Sequence, residues 1–129
     1  MRLLLDTHAL LWWLAGDERL PIAARREIDA ADAEVFASAA SAWEIATKYR
    51  LGRLPNTVAP LALDFGRTIA GHGFIPLDIT VAHAQDAGSL PDFHPDPFDR
   101  MLVAQALAER MALVSNELSF DQFGVVRIW

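Results

Sequence analysis

The sequence predicts an α/β fold in which a mostly parallel sheet is covered by helices on both faces. Short apolar segments that suit buried strands alternate along the chain with longer segments whose apolar residues recur at helical spacing. This alternation is typical of parallel sheets with helices on either side. The sequence contains no internal repeat, low-complexity segment or linker. We therefore expect one domain that spans residues 1–129.

The first half of the chain predicts two strands and three helices. Strands are inferred at short apolar runs, and helices where apolar residues recur every three or four positions. Gly16 and Gly52 supply the expected helix stops. In order, these elements are a strand at 2–6, a helix at 7–17, a helix at 20–32, a strand at 34–38 and a helix at 41–52.

The second half predicts three further strands and three main helical regions. Residues 96–111 carry the strongest helical pattern in the chain, whereas the helical region at 57–73 is expected to break near Pro60 and Gly66. The remaining elements are a strand at 74–78, a helix at 80–88, and strands at 112–116 and 125–129 around a short helical segment.

Composition excludes several classes of protein. The net charge of −6 and the pI near 5.0 argue against a domain that coats nucleic acid through a basic surface. The absence of cysteine excludes disulfides and thiolate metal sites. Asp6 interrupts the apolar N-terminus, which argues against a signal peptide. The longest apolar run, at 9–15, is far below the ~20 residues of a transmembrane helix. We expect a cytoplasmic protein with no membrane partner.

Four acidic residues follow predicted strands or begin predicted helices. Asp6 ends the first strand, and Glu44 lies in the first turn of the predicted helix at 41–52. Asp99 lies in the first turn of the helix at 96–111, and Glu117 follows the next strand. Because ligands of open parallel sheets bind beyond the carboxyl ends of the strands, these four carboxylates are expected to converge.

Each acid also has a purely structural explanation. Asp6 can cap the following helix, and Ser41 and Glu44 have the spacing of a capping box. Glu44 can also pair with Lys48 one turn on. Residues 96–99 have an acid at the cap, proline at the first position and an acid at the third, which is a typical helix start. Glu117 and Asp121 can be ordinary solvated charges.

Convergence favours a cation over capping alone. Carboxylates that lie close together raise one another's pKa, and a bound cation reverses that repulsion. Oxygen ligands without cysteine favour hard ions such as Mg²⁺ or Mn²⁺. The four histidines show no paired ligand spacing, which argues against zinc, and His94 is interpreted as a loop residue without a catalytic role. Trp12, Trp13 and Trp43 are interpreted as core or dimer contacts rather than base-stacking residues.

Four motifs in order resemble the PIN-domain family, specifically the VapC-like toxins of bacterial type II toxin–antitoxin pairs. They are "LLLDTH", "SAWEIATKYRLGRL", "HPDPFDRMLVAQA" and "LVSNELSFDQFGV", and the similarity runs from residue 3 to residue 129. The resemblance implies a three-layer α/β/α fold and a ribonuclease that uses one or two Mg²⁺ or Mn²⁺ ions. It also implies an RNA substrate, a cognate VapB-like antitoxin whose arginine or lysine reaches the acidic site, and a homodimer that forms a heterotetramer or larger assembly with the antitoxin.

The family's first three acids fall on Asp6, Glu44 and Asp99. Its fourth acid is usually an aspartate two residues after threonine or serine, but this chain has Glu117 there, with Asp121 as the alternative. Supporting roles, in competition with ordinary structural ones, are expected for Thr7, Asp96, Ser115 and Asp121. Contacts with RNA are expected for Lys48, Arg53 and Arg100, in competition with a solvated surface or, for Arg100, an ion pair.

The leading hypothesis is a metal-dependent endoribonuclease toxin. The alternative is a catalytically weak or inactive PIN-like module that binds antitoxin or RNA without cleavage, which the departure at Glu117 favours. A Mg²⁺-dependent phosphatase would need a second aspartate two residues after the first. The sequence Asp6-Thr7-His8 argues against that class.

Overall fold

The computed structural model describes residues 1–92 and 94–129. In this part of the chain, a five-stranded sheet has the order β3-β2-β1-β4-β5, and every neighbouring pair is parallel. The strands are β1 (Arg2–Leu5), β2 (Glu34–Ser38), β3 (Ile75–Leu77), β4 (Ala112–Val114) and β5 (Arg127–Ile128). The chain builds the sheet outward from β1 to β3, then returns to the other side of β1 for β4 and β5. This arrangement confirms the predicted parallel sheet.

Helices follow the strands in the order that the sequence predicts. Two 3₁₀ helices, at Asn56–Val58 and Leu118–Phe123, accompany them. Within the described ranges, no helix combines the length and the apolar character needed to span a bilayer. The α-helices are α1 (Thr7–Ala15), α2 (Ile22–Asp29), α3 (Ala39–Arg50), α4 (Ala59–Leu63), α5 (Phe65–Gly71), α6 (Val81–Ser89) and α7 (Pro97–Glu109).

Alternate residues of the central strand face opposite layers. Leu3 and Leu5 pack into a core with α1, α2, α4 and α5, whereas Leu4 packs into a second core with α7. All three leucines are fully buried. Helix α3 packs into both cores, since Ile45 belongs to the first core and Ala40 to the second. The two cores on either side of the sheet confirm the predicted α/β/α arrangement.

Helix α3 begins earlier than the sequence analysis predicts. Strand β2 runs directly into it, and the Ser38 hydroxyl accepts a hydrogen bond from the Ala40 amide, 2.9 Å. Ser38, rather than Ser41, is therefore the cap. The predicted capping box does not form, and Glu44 lies in the second turn rather than the first.

The helical region at 57–73 breaks at Asp64, whose φ of −146° and ψ of 70° separate α4 from α5. This break lies two residues before Gly66, and near Pro60 the 3₁₀ helix at Asn56–Val58 gives way to α4, so the region is interrupted close to both predicted points. Pro60 occupies the start of α4, where its missing amide hydrogen costs no helical bond, and Gly66 lies within α5.

A buried polar cluster ties α7 to β2 and to the chain that enters α6. The Ser38 hydroxyl donates to Gln105 Oε1, 2.5 Å, and Gln105 Nε2 donates to the Asp78 carbonyl, 3.2 Å. Gln105 is fully buried. Its side chain therefore gives the Ser38 hydroxyl proton an acceptor and the Asp78 carbonyl a donor.

Replacing Gln105 by leucine is expected to destabilise the protein by about 1–3 kcal/mol, because the Ser38 hydroxyl and the Asp78 carbonyl lose their buried partner. Urea unfolding followed by circular dichroism measures this change in the free energy of unfolding. Gln85→Leu on the exposed face of α6 is the matched control and is expected to leave the unfolding free energy within about 0.5 kcal/mol of the parent. Equal effects from the two variants would contradict a structural role for Gln105.

Candidate active site

The candidate site lies at the carboxyl edge of the sheet, where β1, β2 and β4 end side by side. The Asp6 amide donates to the Val114 carbonyl, 3.0 Å, which fixes the end of β1 against the end of β4. The chain leaves β1 for β2 and β3 on one side, and the connection after β3 leads to β4 on the other side of β1. Such a switch opens a crevice in parallel sheets. The topology thus brings residues from distant parts of the sequence to one edge.

Asp6 caps α1 and is also a buried acid of the site. Its Oδ1 accepts from the Ala9 amide, 2.7 Å, and its side chain hydrogen-bonds Ser115. Only 6% of Asp6 is exposed. Burial raises the pKa of Asp6, the negative charge of Glu44 adds to the rise, and the hydrogen bonds from Ser115 and Ala9 oppose it. The Asp6 side chain therefore caps α1 and also belongs to the acidic site.

Glu44 projects from α3 into the same crevice and has a partner on each carboxylate oxygen. The Thr7 hydroxyl donates to Oε1, 2.6 Å, and Lys48 Nζ donates to Oε2, 2.6 Å. Thr7 also bonds the Ser41 hydroxyl, 2.9 Å. Because the single Thr7 hydroxyl proton goes to Glu44, Ser41 is the donor to Thr7. The expected Glu44–Lys48 pair is confirmed, and Ser41 is a support for Thr7 that sequence reasoning missed.

Asp99 lies in the first turn of α7, which begins as the sequence predicts. The Asp96 carboxylate accepts from the amides of Phe98 and Asp99, at 2.9 and 3.2 Å, with Pro97 at the first helical position. His94 Nε2 donates to Asp99 Oδ2, 2.7 Å. The predicted cap at Asp96 is confirmed, and the helix start directs Asp99 toward the crevice.

The pKa of Asp99 is raised to about 6, chiefly because burial penalises its charged form. The negative charges of Asp96 and Glu44 add to this rise, and the hydrogen bond from His94 opposes it. Glu44 therefore acts electrostatically on both Asp6 and Asp99. The structure brings these three predicted acids into one electrostatic environment.

Glu117 has a different local role. It caps the 3₁₀ helix at Leu118–Phe123, and its Oε1 accepts from the amide and the hydroxyl of Ser119, at 3.3 and 2.8 Å. These bonds lower the pKa of Glu117. The Ser119 hydroxyl also bonds His94 Nδ1, 3.1 Å. A hydrogen-bonded chain therefore runs from Asp99 through His94 and Ser119 to Glu117.

The carboxylates are not preassembled as a set of metal ligands. Over residues 1–92 and 94–129, no group of three or more histidine, aspartate or glutamate side chains is arranged to hold a metal ion. Glu44 is bonded to Thr7 and Lys48, and Asp99 to His94. Metal ligation by these acids stays a prediction, and it requires side chains to turn from their present partners.

Two other predicted residues have structural roles instead. The Arg100 guanidinium donates to four carbonyls, that of Ala87 in α6 and those of three residues between α6 and α7, at 2.6–3.2 Å. It fixes that connection, and an RNA contact by Arg100 stays a prediction. Asp121 is paired with Arg127, at 2.8 and 3.1 Å, and is largely exposed. Its bond to Arg127 argues against Asp121 as a substitute for Glu117.

The remaining predicted residues lie as follows. Ser115 is fully buried, and its hydroxyl accepts from the Glu117 amide, 3.0 Å, in addition to its bond with Asp6. Arg53 is exposed just beyond α3. Lys48 is committed to Glu44. The supporting roles of Thr7 and Ser115 are thus visible in contacts, whereas RNA contacts by Lys48 and Arg53 stay predictions.

The model of the PIN domain family matches residues 3–126. The chain is 33% identical over 115 residues to Ribonuclease VapC22 of Mycobacterium tuberculosis (strain ATCC 25618 / H37Rv), an alignment that covers 88% of this chain and 85% of that protein.

Solved structures show the same fold at low sequence identity. VapBC2 from Rickettsia felis bound to a DNA fragment from its promoter superposes with a TM-score of 0.71 at 15% identity, over 99% of this chain and 98% of that one. VapBC-1 from nontypeable Haemophilus influenzae superposes with a TM-score of 0.70 at 14% identity, over 99% and 97%.

Proposed function

The chain belongs to the PIN domain family, and on that premise we propose that it is a VapC-like endoribonuclease that acts as the toxin of a type II toxin–antitoxin pair. Cleavage of RNA phosphodiester bonds takes place at Asp6, Glu44 and Asp99. One observation carries the assignment of the site: burial raises the pKa of both Asp6 and Asp99 at the carboxyl edge of the sheet, and the negative charge of Glu44 adds to both rises. Structural acids gain nothing from this arrangement, whereas acids that bind a cation do.

The residues of the site fit a divalent cation. Their ligand atoms are carboxylate oxygens, which suit Mg²⁺ and Mn²⁺. Asp6 and Asp99 have raised pKa values that a nearby positive charge would lower, and Lys48 already supplies such a charge to Glu44. Asp6, Glu44 and Asp99 would hold the cation, with Glu117 as a fourth candidate.

When bound, a divalent cation supplies positive charge to a phosphodiester and makes water more acidic. The protein supplies the orientation of the acids. Thr7 and Ser41 hold Glu44 from one side, and His94 holds Asp99 from the other. The Ser115 hydroxyl steadies Asp6. These bonds orient the acids in the cation-free protein, and cation binding would exchange some of them for bonds to the ion.

The proposed partner is an antitoxin of the VapB kind. The related structures of Rickettsia felis and Haemophilus influenzae are VapBC proteins. An acidic crevice on a chain of net charge −6 suits a basic antitoxin segment, whose arginine or lysine would supply the charge that Lys48 now supplies to Glu44. Such a segment would occupy the crevice in place of cation and RNA.

Removing divalent cations is expected to abolish RNA cleavage. The purified protein, treated with EDTA and passed into metal-free buffer, is expected to retain below about 1% of its activity, a loss typical of removing a main electrostatic contribution. Mg²⁺ or Mn²⁺ is expected to restore it and also to stabilise the protein, by about 2.7 kcal/mol at 100 times Kd. Full cleavage without metal would contradict the proposed chemistry.

A second candidate function is a PIN-like module that binds antitoxin or RNA without cutting. The bonds of Glu117 to Ser119, which turn the fourth acid into a helix cap, favour this alternative. RNA that is retained in a mobility-shift assay but stays intact in Mg²⁺ and in Mn²⁺ would select the binding module over the ribonuclease.

A further inference from the structure

Trp43 is an exposed aromatic residue beside the site. It directly precedes Glu44 on α3, yet 63% of it is exposed, whereas Glu44 is buried. Its ring packs edge-to-face against Phe98, with ring centroids 4.8 Å apart. Phe98 directly precedes Asp99 on α7. The two rings therefore form an aromatic pair that adjoins two of the three acids of the site.

The aromatic pair opens onto a cleft of about 210 Å³ between α3, α6 and α7. Ile79 and Met101 contribute to its apolar walls. Arg100 also lines it, but its guanidinium N–H groups donate to backbone carbonyls. A cleft of this kind suits a flat, uncharged group with an apolar face.

Two cations lie at and just beyond the end of α3. Residues 43, 47 and 50 are spaced at four and three positions, so Trp43 and Arg50 share one helix face, about 10 Å apart along the axis. Arg50 and Arg53 are exposed, and in the described ranges neither side chain forms an ion pair or hydrogen bond. Aromatic rings followed by unpaired cations are the combination with which proteins bind single-stranded nucleic acid.

We propose that Trp43 and Phe98 form a subsite for one unpaired nucleobase of the RNA substrate, and that Arg50 binds a phosphate of the same strand. The inference rests on the proposed ribonuclease function. Trp43 and Phe98 directly precede Glu44 and Asp99, so their Cα atoms lie only about 3.8 Å from those of the two acids. A strand bound at the acids is therefore within reach of the two rings. The base stacks on an aromatic face, and the apolar cleft accepts it without reading its hydrogen-bonding edge.

The test compares three substitutions at Trp43 in steady-state cleavage of a short single-stranded RNA. Trp43→Ala is expected to raise KM about 10-fold, within the range for one base–aromatic stack, with kcat within about twofold of the parent. Trp43→Phe keeps an aromatic face and is expected to restore most of the loss, whereas Trp43→Leu keeps only the apolar contact and is not. Ile22→Ala, an exposed apolar residue on α2, is the matched control and is expected to leave KM unchanged.

An abasic substrate makes the test specific for a base. Removing the base next to the scissile phosphate, on one side or the other, is expected to raise KM for the parent and to add nothing for Trp43→Ala. Arg50→Gln is expected to weaken binding of the intact and the abasic RNA alike. It is also expected to reduce the slope of the logarithm of the binding constant against the logarithm of salt concentration by about one. Additive losses from Trp43→Ala and from each abasic substitution would overturn the subsite.

The outcomes separate this inference from the function on which it rests. Normal cleavage with an unchanged KM in Trp43→Ala overturns the subsite and leaves the ribonuclease intact. If the parent cleaves no RNA, the same variants are compared by fluorescence anisotropy with a labelled oligonucleotide, and equal affinities overturn the subsite. A change in oligomeric state by sedimentation, with RNA affinity unchanged, assigns the aromatic pair to a protein interface and also overturns it.

Discussion

Replacement of Asp6 by asparagine is expected to lower RNA cleavage at least about 100-fold while leaving the protein folded. The substitution removes a buried negative charge that lies near Glu44 at the carboxyl edge of the sheet. Such charges supply the main electrostatic contribution in sites of this kind. Asparagine caps helices about as well as aspartate, so its oxygen can still accept from the Ala9 amide. Cleavage of a labelled RNA in Mg²⁺ or Mn²⁺, with circular dichroism on the same samples, measures both effects.

The matched control for Asp6→Asn is Asp86→Asn, an exposed acid of α6 outside the site. It changes the net charge by the same amount and is expected to cleave RNA at the parental rate. Parental cleavage by Asp6→Asn would remove Asp6 from the active site. An equal loss in both variants would show that net charge, rather than the cluster, is what the assay detects.

Replacement of Asp99 by asparagine is expected to have opposite effects on activity and stability. Cleavage is expected to fall about 100-fold or more, because a proposed ligand is lost. The metal-free variant is expected to be more stable than the parent by about 1–2 kcal/mol at pH 7.5. A pKa raised to about 6 would by itself correspond to a larger change in the free energy of unfolding. The Asp99 side chain is 28% exposed, however, so solvent screens part of this effect.

The pH dependence of this difference follows from the direction of the shift. Because the folded-state pKa of Asp99 is raised, the protonated form favours folding, and this contribution is fully present below pH ~4. It is lost as the pH rises through about 6. Urea unfolding of metal-free parent and Asp99→Asn is therefore expected to give similar unfolding free energies near pH 4 and to diverge by pH 7.5. A constant difference across this range would contradict the raised pKa.

Local sequence signals were sufficient for most of the fold. Asp96 and Pro97 start α7 as a cap and a first-turn proline should, and Gly16 ends α1 with a φ of 63° that favours glycine. The start of α3 was mispredicted because Ser38 and Ser41 both have capping chemistry. The choice between them depends on where β2 ends in the sheet. That position is a property of strand pairing and is not encoded in the few residues around the cap.

The candidate site was predictable in its acids but not in their partners. Asp6, Glu44 and Asp99 were placed by the rule for carboxyl ends of parallel strands, and the Glu44–Lys48 pair follows from helical spacing. The bond of His94 to Ser119 joins residues 25 positions apart, and no spacing in the sequence signals it. The partners of Arg100 escaped prediction for the same reason: its four carbonyls, one in α6 and three before α7, surround it only when this chain folds back on α7.

The central position of β1 determines when during synthesis the site is completed. Leu3 of β1 pairs with Ala112 of β4, so β1 joins parts of the chain that are far apart in sequence. Asp6 is synthesised more than 100 residues before Val114 and Ser115, whose backbone carbonyl and hydroxyl hold it. Contacts of such large sequence separation slow folding. A nascent chain that ends before β4 therefore lacks the partners that fix Asp6 in the site.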